Sequence, residues 1–225
     1  MVWIIGQLVP LILGAMLAPL WIIIVLLLLA SPNGFLKAIA FVAGMTVSRL
    51  LQGVVFGFVF ASSPDAAAEG DGASPVVSTL LLIVGILLLI AAYRKWRKEE
   101  DPDAPPPQWM QNLEQTTPLK ALGLGAGLVG IGVKLWVFTL SALGIISAAG
   151  LALGSSVVLY LLYIVLAQLL LILPIVGYAL APKASAAILQ RALDWLTRYN
   201  RPISITVALF FGVYFTWDGI QGLLS

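Results

Sequence analysis

Long apolar stretches, each closed by a short polar interruption, are the dominant pattern along this chain. Crossing roughly 30 Å of hydrocarbon takes a helix of about 20 mainly apolar residues. Six stretches reach that length: residues 4–29, 35–61, 75–93, 119–149, 154–180 and 203–224. The first, fourth and fifth are longer than one crossing needs, which predicts tilt or a break in each. Residues 183–199 read differently. Ile188, Leu189, Ala192, Leu193, Leu196 and Tyr199 recur there at helical spacing, with Arg191, Asp194 and Arg198 on other faces. That pattern predicts an amphipathic helix lying in the membrane interface.

Composition points the same way. Of 225 residues, 61% are hydrophobic and 10% charged, against about 25% charged in an ordinary soluble domain. Mean hydropathy is +1.06. A chain this apolar cannot cover its own surface in water, so its solvent is lipid. There is neither Cys nor His. That excludes disulfides, thiolate and imidazole metal sites, and catalysis with His as the base. No phosphate-binding Gly-x-x-x-x-Gly-Lys motif occurs, and no span carries a carboxylate pair for a divalent cation. A net charge of +2 gives no footing for nucleic acid. No enzyme, metal or cofactor is therefore expected. Met1-Val2-Trp3 lacks a basic start, so the first stretch reads as a span rather than a cleaved signal.

The cations set the sides. Lys37, the group Arg94, Lys95, Arg97, Lys98 and Lys120, and the group Lys183, Arg191, Arg198 and Arg201 all fall on one side of a six-span chain. These are ten of the twelve Lys and Arg residues. The loop 61–75 on the other side carries Asp65, Glu69 and Asp71 instead. By the positive-inside rule the cationic side is cytoplasmic and both termini face outward, as expected of a multi-pass protein of the cell (inner or plasma) membrane.

A polar, proline-rich linker at 94–118 divides the chain into halves, 1–93 and 119–225. Leu13-Gly14-Ala15-Met16-Leu17 at the start of one half matches Leu124-Gly125-Ala126-Gly127-Leu128 at the start of the other, 111 residues on. With three spans per half, the second copy inserts upside down. The expected fold is an all-α membrane protein of two inverted three-helix repeats, an architecture that places a transport site near the midplane.

Two cations remain, Arg49 in the second span and Lys134 in the fourth, each about fifteen residues from the cytoplasmic start. A charge at mid-bilayer costs at least about 2.5 kcal/mol, so it faces a wet cavity or a counter-charge. Asp218, nearer the outer end of the sixth span, is the only acid inside a span. For each cation two readings stand: it grips an anionic group of a substrate, or it joins Asp218 in a buried ion network or snorkels to an interface. Gln52, one turn from Arg49, is its candidate neighbour. Pro10, Gly14 and Pro19 interrupt the first span, while Gly123, Gly125, Gly127, Gly130 and Gly132 crowd the fourth. A broken helix opens its second half with free N–H groups, which favour anions. Pro19, Gly130 and Gly132 are the expected break residues, and Gly123 with Gly127 the expected packing pair. Thr46, Ser48, Thr139, Ser141, Tyr160, Tyr163 and Gln168 are further polar residues inside spans, the Ser and Thr expected to bond their own backbone.

Several short motifs in order carry a resemblance. They are Leu13-Gly14-Ala15-Met16-Leu17-Ala18-Pro19, Leu29-Ala30-Ser31-Pro32, Phe41 with Gly44, Gln108-Trp109-Met110, Thr117-Pro118-Leu119-Lys120-Ala121-Leu122-Gly123-Leu124-Gly125, and Trp217-Asp218-Gly219-Ile220. The chain resembles the GAP family, the Sap-like sulfolipid- or glycopeptidolipid-addressing proteins of the lysine-exporter (LysE) superfamily. The resemblance implies six helices in inverted repeats, and a role in moving lipids or small metabolites out of the cytoplasm. Such proteins commonly carry Asn-Pro-Lys-Asn at the break of the fourth span. Here the segment reads Gly132-Val133-Lys134-Leu135, keeping only the lysine, and Arg49 lies outside the family pattern.

The function expected is a transporter or flippase that moves an anionic lipid or amphiphile (phospho-, sulfo- or glycolipid) out of the cytoplasmic leaflet. The alternatives are an exporter of a small metabolite such as an amino acid, and a non-transporting accessory subunit of a lipid-export complex. Membrane lipid is the expected partner, with lipid-export proteins or a second copy of the chain as further candidates. The sidedness is directly testable. Single cysteines at Ser63 and Gln111 should react with a membrane-impermeant thiol reagent from opposite faces, Ser63 from outside. Reaction of both from one face would rule out six crossings.

Overall fold

The computed structural model describes residues 2–62, 75–98, 112–113 and 115–224. The acidic loop, the proline-rich linker with Gln108-Trp109-Met110, and the cysteine sites Ser63 and Gln111 lie outside the described residues, as do the side chains of Lys134 and Lys183. Among the described residues the structure is helical, with no strand. The helices are α1 (Val2–Met16), α2 (Pro19–Ala30), α3 (Gly34–Ser62), α4 (Pro75–Arg97), α5 (Pro118–Ile131), α6 (Val133–Ala148), α7 (Leu153–Ala167), α8 (Leu169–Leu180) and α9 (Pro182–Leu224).

Three of them contain an unbroken membrane-length segment: Gly34–Gly57, Val77–Arg97 and Ala187–Leu224. The others form bent pairs, α1/α2 at 52°, α5/α6 at 69° and α7/α8 at 67°, and each pair taken as one span brings the crossings to six. The bent pairs are the three stretches too long for a single straight crossing.

Each break has its own local cause. Pro19 has no N–H to give and its ring disfavours a helical residue before it, so Ala18 is extended at φ −103°, ψ 95°. Pro19 then opens α2, its fixed φ already helical. Pro10 and Gly14 lie inside α1 and do not break it. In the fourth span the chain turns at Gly132, where an added Cβ would stand 2.6 Å from the Leu128 carbonyl oxygen. Gly130 remains within α5. The third break, at Gln168, uses neither Gly nor Pro. Gln168 takes φ −106°, ψ 5°, and its buried side chain replaces part of the missing helix bonding.

One expectation needs correcting. Residues 183–199 are helical, but they run on through Pro202 into the last span as one 43-residue helix. Part of their apolar stripe finds protein: Leu193 is buried, and Leu189, Ala192 and Leu196 pack with it on Ile23 and Leu26 of α2, while Ile188 and Tyr199 stay exposed.

The bundle is held by two close helix pairs, α4 with α9 and α3 with α5. Without water to drive association, membrane helices pack through small residues that let backbones meet. Gly85 faces Gly212 and Thr216, and Gly219 faces Ser78 and Leu82, along the α4–α9 seam. Gly44 meets Leu122 and Ala126 while Gly125 meets Phe41 and Met45, across α3 and α5. Gly125 therefore makes the contact expected of Gly123 and Gly127, both of which face open space. At one end of the α4–α9 seam Arg201 donates to the last carbonyls of α4, from Nε to Lys95 O at 3.3 Å and from Nη2 to Trp96 O at 2.9 Å. That side chain satisfies orphan carbonyls and complements the negative end of the helix dipole.

Several of the remaining contacts pair off between the halves. α2 lies on α9 as α6 lies on α4, and α1 meets α7 as α5 meets α3. This pattern is compatible with an inverted repeat, although unbroken α3 corresponds to the broken pair α7/α8.

The glycine contacts yield a paired prediction. Gly125→Val should lower thermal stability by about 1–3 kcal/mol, as overpacking does. Gly123→Val should stay within about 0.5 kcal/mol of the parent. Melting of both purified variants in one detergent decides it; equal stability would displace Gly125 from the contact.

Candidate functional site

Among the described residues Arg49 is the largest side chain sealed inside the protein, with 2% of its surface exposed. It lies on one stripe of α3 with Gln52, Gly53 and Phe56, since residues three, four and seven apart share a helix face. Gly53 matters because it has no side chain: an added Cβ would run into the Tyr160 ring. Tyr160 of α7 lies in that space and donates its hydroxyl to the Arg49 carbonyl oxygen at 2.5 Å. Its ring stacks on Tyr163, with centroids 6.1 Å apart. The Arg49 guanidinium stands 6.0 Å from the Tyr163 ring centroid, at the edge of cation–π range. Thr139 of α6 borders the Tyr163 hydroxyl.

One turn towards the α3 start, Gln168 closes the cluster at the α7/α8 break. Its amide nitrogen donates to Thr46 Oγ1 at 3.2 Å and to the Ile164 carbonyl at 3.3 Å. The Thr46 hydroxyl donates to the Val42 carbonyl at 2.9 Å, the local bond expected of it.

What the cluster lacks is an acid. Nε and Nη1 of Arg49, both polar atoms of the Gln52 amide and the Ser141 hydroxyl are buried without a hydrogen-bond partner among the described residues. The helices around Arg49 carry no Asp or Glu at all. Within the helices, carboxylates occur on α9 alone, at Asp194 and Asp218. Asp218 is exposed on α9 with Tyr214 beside it and no cation acting on it among the described residues. The structure thus brings Arg49 and Gln52 together and leaves Asp218 apart.

The break of the fourth span lies close by. Ser48 donates to the Ala126 carbonyl at 2.8 Å, and Phe56 meets Trp136 edge-on at 5.4 Å. Gly132 therefore falls beside the α3 turn that runs from Arg49 to Phe56. The backbone of Lys134 belongs to the first turn of α6, and Gly132 brings that turn no side-chain cap. Gly130 is exposed, its carbonyl accepting from the Trp136 indole at 2.8 Å so that the indole bridges the break. Pro19 is buried on the other side of α6, against a cavity of about 590 Å³ that Leu135 and Phe138 also line.

A family model described as Sap, sulfolipid-1-addressing protein, matches residues 8–221. The chain belongs to this family. No curated protein and no solved structure matches it. In this Sap-family chain the core cluster can hold and orient an anion: it offers cationic and neutral donors. Tyr160, Tyr163 and Gln168 were present in the sequence as polar residues of an otherwise aliphatic span, but nothing in their spacing indicated that they would surround Arg49.

The missing acid makes a prediction. Removing one partner of a buried ion pair typically costs about 3–5 kcal/mol, whereas replacing an uncompensated buried charge with an apolar group is neutral or stabilising. Arg49→Met should therefore keep or raise the melting temperature, and Asp218→Asn should leave it within about 0.5 kcal/mol of the parent. A strongly destabilised Arg49→Met, rescued by Asp218→Asn, would restore the ion-pair reading.

Proposed function

We propose that this Sap-family protein moves an anionic amphiphile, a phospho-, sulfo- or glycolipid with an acidic head, out of the cytoplasmic leaflet. The observation that carries the reading is Arg49, sealed in the membrane core among helices with no carboxylate. A guanidinium there is stabilised by an anionic ligand, and charge-assisted contacts are the strong ones. Lys134 adds a second cation beside the α5/α6 break, and Gln52 supplies neutral donors to the same head group. The family description supports a lipid as cargo. The exposed apolar surface of α3 and α9, with Val54 and Phe210 about two-thirds or more exposed, offers membrane contact along the bundle. By the positive-inside rule the cation-rich side is the cytoplasmic one and the termini face outward.

Reconstitution tests this reading. Vesicles with a fluorescent anionic phospholipid in the leaflet contacted by the cationic side should lose it to the other leaflet when the wild-type protein is present. One charge-assisted contact is worth about 1.5–3 kcal/mol, so Arg49→Ala should slow the transfer by about ten- to a hundredfold. Arg49→Lys should recover part of the rate, and a zwitterionic lipid should move slowly in every case. An Arg49→Ala protein that folds and transfers at the wild-type rate would end the proposal. Co-purification with an export machine and no transfer alone would point to the accessory role.

A further inference from the structure

The cavity beside the α1/α2 break is lined on four sides by apolar groups, among them Ala18 and Trp21 at the break, Leu88 of α4, Phe138 of α6 and Val207 of α9. At about 590 Å³, it falls within the roughly 300–1,000 Å³ of typical ligand sites. Its polar lining is gathered in Lys95, Asn200 and Ser204. Lys95 Nζ donates to Ser204 Oγ at 2.9 Å and stands 3.5 Å from both the backbone and the side-chain oxygen of Asn200. Ser204 donates in turn to Asn200 Oδ1 at 3.1 Å. Arg201 fixes this corner by holding the end of α4.

A cavity with an apolar body and a cationic end matches one class of molecule. Apolar cavities exclude water, so the body suits a hydrocarbon chain. Lys95 brings an ammonium to that corner beside Ser204 and Asn200, and an anionic oxygen meeting it there makes a charge-assisted contact, stronger than a neutral one. The cluster around Arg49 is elsewhere: Leu135 and Phe138 of α6 line the cavity, while Thr139 borders Tyr163. Lys95 belongs to the side of the protein that carries the loop cations.

We propose that this cavity is a second binding site, which takes the hydrocarbon chain of an anionic amphiphile and holds its head group at Lys95, Asn200 and Ser204. It is the loading site for the cargo that later meets Arg49. The order of the two sites rests on the transport reading above; the binding itself does not.

Photolabelling tests it, using purified full-length protein and a long-chain alkyl phosphate with a diazirine at the chain end. Label should map to Trp21, Leu88 or Phe138. Filling the cavity by Ala208→Trp, or more gently by Ala91→Leu, should reduce it at least fivefold. Lys95→Gln should weaken labelling about tenfold for the phosphate and leave the corresponding long-chain alcohol unchanged. Millimolar inorganic phosphate should not compete; if it abolished labelling, the site would be one for the anion alone and the assignment of the cavity would fall. Label confined to lipid-facing residues such as Val54 and Phe210, or undiminished in both filled variants, would also overturn the site. The two proposals fail separately. An unlabelled cavity with transfer lost in Arg49→Ala removes only the loading site. A labelled cavity with wild-type transfer in Arg49→Ala removes only the role of Arg49.

Discussion

Holding a guanidinium in the middle of a membrane bundle without a carboxylate is the demand around which the core is arranged. Desolvating such a charge is costly, and only a few neutral groups can lessen the cost. Aromatic faces, hydroxyls and amides do so here. Tyr163 brings ring surface to Arg49, Tyr160 holds the Arg49 carbonyl through its hydroxyl, Gly53 makes room for Tyr160, and Gln168 closes the end of the cluster. The tyrosines and Gln168 belong to α7 and its end, and their placement depends on the α7/α8 break. A straight fifth span would bond the Gln168 N–H to the Ile164 carbonyl, the acceptor that the Gln168 side chain takes here while its N–H turns to Val165.

Breaks of this kind are tolerated in hydrocarbon only where protein surrounds them, because each freed backbone group must find another partner. The three breaks meet that condition in different ways. Pro19 removes the need by having no N–H. Gly132 is bridged by the Trp136 indole on the Gly130 carbonyl. Gln168 uses its own side chain to bond the Ile164 carbonyl. Each break faces either the Arg49 cluster or the cavity, so the irregular backbone is gathered where polar groups also lie.

Much of this was legible in the residues. Stretch length marked the first, fourth and fifth spans as tilted or broken, and all three are broken. Arg49 stood out because no loop could accommodate it. Pro19 and Gly132 were recognisable because their physics is local. The partners of Arg49 were not legible, since contacts between α3, α6 and α7 depend on tertiary packing that no periodicity encodes. The same holds for Gly125: three glycines at alternate positions look alike until Phe41 selects one of them. The stripe of residues 183–199 divides for a related reason: Leu193 turns to α2 while Ile188 and Tyr199 stay exposed. Amphipathicity reports that a face is apolar, and says nothing of whether lipid or α2 covers it.

The α4–α9 seam has a mechanical consequence. Its backbones touch at Gly85, Gly212 and Gly219, and Arg201 pins one end to the α4 carbonyls. Close-packed surfaces of this kind do not slide; they rotate together or stay still. At about 1.5 Å per residue, the 43-residue α9 extends about 64 Å, well beyond the hydrocarbon. Its first turns, seated on α2, therefore form a lever arm on a rigid strut. Any shift of α2 about Pro19 is passed to this end of α9 and along the strut to α4.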